Sequence, residues 1–248
     1  MLYFLFSILL IWMIFPGRCK YFPKQKYYAH RGLYNEDQSI RENSLAAFKA
    51  ALASGVGVEL DVTLSQDQEV VVYHDASLER LFKRVQRVNQ LSSEALKGLD
   101  IVRLEEVLKL FSNQQPLIIE LKNHGNYQIL CEKVAQILDT YQGEFMIESF
   151  DPRIVFWFRL NRPNFIRGQL LMSLKMYDNK IMGLFLISML YNFLTRPHFM
   201  ATHHTMKYRI FGWLMPFLGA KRVIWTIHEN DDIDEMLVDG IIFEFYIP

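Results

Sequence analysis

Residues 1–16, MLYFLFSILLIWMIFP, form an apolar block without a charged side chain, closed by Pro16 and Gly17 and followed by Arg18, Lys20, Lys24 and Lys26. From residue 27 onward the pattern changes. Short apolar or β-branched runs fall at 27–30, 58–62, 70–74, 117–121, 145–149, 165–171, 223–227 and 240–243, with a weaker one at 198–201. Stretches of helical periodicity lie between them, at 43–54, 104–111, 127–141 and 152–160. Asn43 or Ser44 is placed to cap the first of these helices. Strand–helix alternation predicts a parallel sheet with crossover helices. About eight such units in one domain predict an α/β fold, a (β/α)8 TIM-type barrel over residues 26–248. An open doubly wound sheet is the structural alternative.

Two stretches break the alternation. Residues 181–194 (IMGLFLISMLYNFL) are almost wholly apolar between Lys180 and Arg196. Such a run is too short to span a bilayer and suits a core helix or an interfacial segment. Residues 206–220 mix Tyr208, Phe211, Trp213 and Phe217 with Lys207 and Arg209, a composition that suits the lipid headgroup zone. Ordinary packing of barrel helices is the alternative, so 181–220 is a candidate membrane-docking segment. The first 17 residues read as a membrane-anchor helix at the short limit of the roughly 17–25 residues needed to span, with a buried or lipid-surface helix as the alternative. A cleavable signal carries its basic residues before the apolar stretch, whereas here they follow it. The positive-inside bias then puts the domain on the cytoplasmic face.

Composition narrows the function classes. The 248 residues carry 27 Lys+Arg and 27 Asp+Glu, so the charge balance gives no sign of a nucleic-acid binder. Two cysteines, Cys19 and Cys131, do not make a disulfide framework, and Cys131 reads as a packed thiol in a helix.

The polar residues gather at the ends of the early strands, where (β/α)8 barrels carry their chemistry. The first ends in His30-Arg31-Gly32 and the second carries Glu59 and Asp61. The third ends in His74-Asp75 and the fourth carries Glu120 and Lys122. Residues two apart on a strand share a face, so each ExD or ExK pair points one way. Inward carboxylates repel each other and lose hydration, and therefore call for a cation. An all-oxygen set suits Mg²⁺ or Ca²⁺, with Mn²⁺ also compatible, better than Zn²⁺. Arg31 offers a planar fork for phosphate and Lys122 a point charge. His30 and His74 can divide acid and base work.

These residues resemble the glycerophosphodiester phosphodiesterases. The likeness lies in His30-Arg31-Gly32, Glu42-Asn43-Ser44, Glu59-Leu60-Asp61, His74-Asp75 with Leu78-Glu79-Arg80, Leu104-Glu105-Glu106, Glu120-Leu121-Lys122, and later Ser149-Phe150 and Trp225-Thr226. It implies a (β/α)8 barrel that hydrolyses a glycerophosphodiester to sn-glycerol 3-phosphate, or a related phosphate, and an alcohol. By motif position Glu59, Asp61 and Glu120 would bind one divalent cation, Mg²⁺ or Ca²⁺. His30 and His74 would be catalytic, and Arg31, Lys122, Asn43 and Trp225 would contact phosphate or substrate. The closing Thr-Asp of the family reads Phe243-Glu244 here. Alternatives within reach of the same residues are a lysophospholipase D-like activity, a phosphoinositide-like or polymeric substrate, and a non-catalytic head-group-binding barrel.

Overall fold

The computed structural model describes residues 2–206, 214 and 216–248. In chain order the helices and strands are α1 (Leu2–Ile14), β1 (Tyr27–His30), α2 (Leu45–Ala53), β2 (Gly57–Leu64), β3 (Val70–Val72), α3 (Glu79–Phe82), α4 (Ser93–Lys97), α5 (Leu104–Phe111), β4 (Leu117–Leu121), α6 (Tyr127–Asp139), β5 (Phe145–Ser149), α7 (Pro152–Asn161), β6 (Arg167–Leu171), α8 (Lys180–Ser188), α9 (Asn192–Thr195), β7 (Phe199–His203), β8 (Lys221–Ile227) and β9 (Gly240–Phe243). The strands hydrogen-bond in the order β1-β9-β8-β7-β6-β5-β4-β2-β3, and β1 also pairs with β2. That is the strand order of a (β/α)8 barrel with β3 outside the ring.

The chain divides into two compact units, one of residues 23–147 with 242–248 and one of residues 1–22 with 148–241. In the first, β2 lies parallel to β1 and to β4. Its residues are buried along nearly its whole length, as expected for a strand covered on both faces. α5 shows why its segment is a helix: Leu104, Val107, Leu108 and Phe111 recur at helical spacing and are buried, while Glu105 and Lys109 face outward. Ser44 caps α2 by accepting from the Ala47 amide, and Asn126 caps α6 in the same manner. In the second unit β6, β7 and β8 run parallel, and Asp151 caps α7 with Pro152 in its first turn.

Four expectations change. The run at 70–74 is not a barrel strand: β3 pairs antiparallel with β2, Val62 opposite Val72. The segment between them is too short for the crossover that a parallel partner requires. The weaker run at 198–201 becomes β7, a parallel strand between β6 and β8. The apolar stretch 181–194 splits into α8 and α9, with Met189 in the left-handed region (φ 54°) at the break. Finally, the 13 residues of α1 are about 20 Å long at 1.5 Å per residue, against a hydrocarbon core of about 30 Å. Among the described residues no helix is long and apolar enough to cross a membrane. The aromatic–basic segment 206–220 falls for the most part outside the described residues. Cys131 is fully buried on α6, the packed thiol expected.

His198, just before β7, is buried, and its Nδ1 accepts the Arg167 amide (3.3 Å). Burial first, and the Arg167 charge second, push its pKa down to about 4. The folded state therefore holds a neutral imidazole. In the unfolded chain the same ring titrates near 6.5, so the stability linked to His198 is present above about pH 6.5 and is lost as pH falls toward 4. Urea midpoints measured from pH 7.5 to 4.5 should fall more steeply for the wild-type protein than for a His198→Gln variant. Parallel profiles would refute this linkage.

Candidate active site

Strand register assembles the polar cluster of the unit formed by residues 23–147 and 242–248. His30 of β1 lies opposite Glu59 of β2, and Asp61 lies opposite Glu120 of β4. Because Glu59 and Asp61 are two apart, both reach one face of the strand. The chain turns sharply after His30. Arg31 has φ 55° and Gly32 φ 84°, and a Cβ on Gly32 would stand 2.8 Å from the Cβ of Ala47 on α2. Only glycine meets both the positive φ and the close approach of that helix.

Asp61 has no exposed surface. Its Oδ1 is 3.1 Å from the Lys122 ammonium and its Oδ2 is 3.3 Å from Nε of Arg31. The Asn43 side chain donates to Oδ2 (2.9 Å), while its carbonyl accepts the Asp61 amide (3.3 Å). Burial would raise the pKa of Asp61, but Lys122, His74 and Arg31 outweigh it and hold the acid well below the usual carboxylate range. Asn43 thus holds the central carboxylate in place.

Lys122 also pairs with Glu120 (2.7 Å). Even so, burial and the charge of Asp61 push Glu120 above its usual range. Oxygens of Glu59 and Glu120 approach within 4.8 Å. The carboxylates therefore carry more buried negative charge than Lys122 and Arg31 neutralise, and a hard divalent cation suits such an all-oxygen set. The residues present fit Mg²⁺ or Ca²⁺. Glu148 on β5 is a further buried carboxylate that the sequence pattern did not single out.

The two histidines are held alike. Nδ1–H of His30 donates to Glu244, which also accepts the Tyr34 hydroxyl (2.6 Å). His30 Nε2 is left facing Glu59 at 3.8 Å. At His74 the Nδ1 atom meets Asp75 (2.6 Å). In each ring a carboxylate takes Nδ1 and so fixes which nitrogen is left for proton transfer. Burial pushes the His30 pKa down despite the opposing pull of Glu244. Burial would raise Glu244, but His30, Tyr34 and Arg31 hold it at about 2. Glu244, where the sequence departs from the family pattern, is thus the anionic partner of His30.

A second feature is legible only in three dimensions. Arg80 grips Glu42 through two nitrogens (2.6 and 2.7 Å) and Asp75 through Nε (2.6 Å). Glu42 also accepts from Arg31 (2.8 Å). The alternating chain Arg31–Glu42–Arg80–Asp75–His74 joins the His30-Arg31-Gly32 turn to the other histidine. Of the anticipated residues, His30, Arg31, Asn43, Glu59, Asp61, His74, Glu120 and Lys122 belong to this unit. Trp225 belongs to the other unit, on β8, where its indole N–H donates to Ala201 O (3.2 Å) and its ring meets Phe150 and His203 edge-on.

The geometry fixes a tautomer. Long-range ¹H–¹⁵N spectra at pH 7.5 should show His30, assigned with a His30→Gln variant, as neutral with the proton on Nδ1. Glu244→Gln should weaken that preference. A dominant Nε2–H form in the unaltered protein would contradict the hydrogen bond to Glu244.

The glycerophosphoryl diester phosphodiesterase family model matches residues 30–247. A glycerophosphodiester phosphodiesterase of Caldanaerobacter subterraneus is 29% identical over 243 residues, covering 86% of this chain and 91% of that protein. The solved structure of a Thermotoga maritima glycerophosphodiester phosphodiesterase is similar at a TM-score of 0.67 and 24% identity, over 90% of this chain and 96% of that one. An Oleispira antarctica phosphodiesterase, solved in complex with the product sn-glycerol-3-phosphate, is similar at a TM-score of 0.68 and 21% identity, over 88% and 92%. The last two establish likeness of fold, and the family match extends over the whole polar cluster. The chain belongs to the glycerophosphoryl diester phosphodiesterase family and is a phosphoric diester hydrolase.

Proposed function

We propose that the protein hydrolyses a glycerophosphodiester to sn-glycerol 3-phosphate and an alcohol with one bound Mg²⁺ or Ca²⁺, at the cytoplasmic face of a membrane. The observation that carries this reading is the pair of histidines, each with Nδ1 held by a carboxylate, in the unit that buries Glu59, Asp61 and Glu120. Glu59, Asp61 and Glu120 would hold the ion, which supplies charge neutralisation at the phosphoryl oxygens. Arg31 and Lys122 now neutralise Asp61 and Glu120. Beside a bound diester, Arg31 would offer the phosphate a planar fork and Lys122 a point charge.

The protons are moved by His30 and His74. One histidine takes the proton from the attacking hydroxyl as the new P–O bond forms. The other gives its proton to the alcohol oxygen as the old P–O bond breaks. By resemblance to the family, the first attacker is the neighbouring glycerol hydroxyl, and water then opens the cyclic phosphate with the two roles exchanged. The net reaction is diester plus water to phosphomonoester plus alcohol. The retention of both histidines and all three carboxylates supports an enzyme over a head-group-binding module. The exposed apolar side chains of α1 and the basic residues Arg18, Lys20, Lys24 and Lys26 behind it support action at a membrane. A lipid-derived, lysophospholipid-like diester suits that setting.

Chelator-treated protein should release no glycerol 3-phosphate from glycerophosphocholine, and Mg²⁺ or Ca²⁺ should restore release. A lysophosphatidylcholine arm of the same assay reads the lipid-derived substrate. His30→Asn and His74→Asn should each lower kcat by roughly 10²–10⁴-fold with unfolding midpoints unchanged. Folded protein that turns over neither substrate with either ion, or histidine variants as fast as the parent, would overturn the reading.

A further inference from the structure

α1 is apolar around its whole circumference and bare around most of it. Tyr3, Phe4, Leu5 and Phe6 are 88, 69, 54 and 57% exposed. Four consecutive residues at about 100° per residue cover more than three-quarters of a helix surface. A protein groove covers one face of a helix and leaves the opposite face in water. Burying apolar side chains on every side requires an apolar solvent, and the hydrocarbon of a bilayer is one. Yet the helix is about 20 Å long, enough for one leaflet and short of the core's full ~30 Å.

The carboxyl end of α1 is fastened to its own unit. Arg196 donates to the carbonyls of Trp12 (3.0 Å) and Phe15, and its guanidinium lies 5.0 Å over the Trp12 ring. Asn192 of α9 donates to Ile14 O (3.0 Å), and the Gly17 amide donates to Pro197 O (2.9 Å). A Cβ on Gly17 would lie 2.4 Å from Arg196 O. These contacts satisfy carbonyls that the end of a helix leaves open. They hold α1 on a rigid mount in place of a flexible tether. Trp12 and Arg196, an aromatic ring with a cation on it, are the pair expected at the headgroup level.

α8 carries a second apolar surface in the same unit. Ile181, Met182, Leu184 and Phe185 are exposed, while Leu186 and Ile187 pack into a core cluster that Ile14 of α1 also touches. Across residues 1–20 and 175–196 the charged side chains are Arg18, Lys20, Lys175, Lys180 and Arg196 against the single acid Asp178. That balance complements an anionic lipid surface.

We propose that α1 is a monotopic insertion helix that enters one leaflet without crossing the bilayer. The Arg196–Asn192 collar sets its depth, and the exposed face of α8 rests on the same leaflet. This rests on the membrane-surface reading above and specifies the surface and the mode of attachment.

The test uses the full chain, purified in detergent and reconstituted with vesicles of phosphatidylcholine and phosphatidylglycerol. The protein should float with these vesicles, and doubling Ile181→Ser with Phe185→Ser should lower partitioning by about tenfold. Trp12 fluorescence, taken as the difference from a Trp12→Phe variant, should be quenched more by lipids brominated near the headgroup than by lipids brominated near the chain ends. A Tyr3→Cys variant made in a Cys19→Ser background should resist an impermeant maleimide added to either side. Failure to float, with a detergent-free dimer formed through α1 instead, would overturn the membrane reading and this inference together. Flotation with deep quenching of Trp12, or with labelling of Tyr3→Cys from the far side, would overturn the monotopic assignment alone. Unchanged partitioning of the α8 variant would remove α8 from the contact.

Discussion

Asp61 sets the terms for the candidate site. A carboxylate with no exposed surface must be neutralised or lose its charge, and this one keeps its charge between Lys122 and Arg31 with Asn43 bonded alongside. Each of those partners is placed by a separate piece of backbone. Arg31 sits in the glycine-permitted turn after β1, Asn43 just before α2, and Lys122 just past β4. The local fold of this unit is therefore tied to the electrostatics of one acid. The same arrangement leaves Glu120 above its usual range because of burial and of Asp61 itself. A site that stabilises one buried anion with two side-chain cations, yet leaves its neighbour under-neutralised, is one into which a divalent cation fits.

The ionic chain outside that centre has a geometric purpose. Histidine chemistry depends on which ring nitrogen is available. Here Glu244 and Asp75 settle that question for His30 and His74. Arg80 and Glu42 then carry the constraint across the unit, so that the His30-Arg31-Gly32 turn and the His74-Asp75 loop are fixed relative to each other. Tyr34 serves the same end by bonding the Glu244 oxygen that His30 uses.

Much of this was legible in the residues. The polar pairs on successive strands marked the acids and cations because strand periodicity puts residues two apart on one face. The eight-strand count was right, but its membership was not. Residues 70–74 looked like a buried strand, and hydrophobic runs do not report whether the partner is parallel. Only the short connection to β2 rules out a crossover. β7 was the weakest candidate because its run was short and its flanks polar. Glu244 and Arg80 were visible as motif neighbours, but their partners lie far off in sequence: His30 is 214 residues from Glu244, and Glu42 is 38 from Arg80. Glu148 gave no signal, since a single acid in an apolar run reads equally well as a solvated edge. The apolar run extends to Phe15 before Pro16, whereas α1 stops at Ile14, because hydrophobicity alone does not mark where a helix ends.

The central claim is that the buried acids are kept for a divalent cation and are not merely a structural ion-pair network. Calorimetric titration of chelator-stripped protein with Mg²⁺ and with Ca²⁺ addresses it directly. The expected result is one saturable site for at least one of the ions, lost in Glu59→Gln and in Glu120→Gln while both variants stay folded. Absence of saturable binding in the folded parent, or binding that survives both substitutions unchanged, would contradict it.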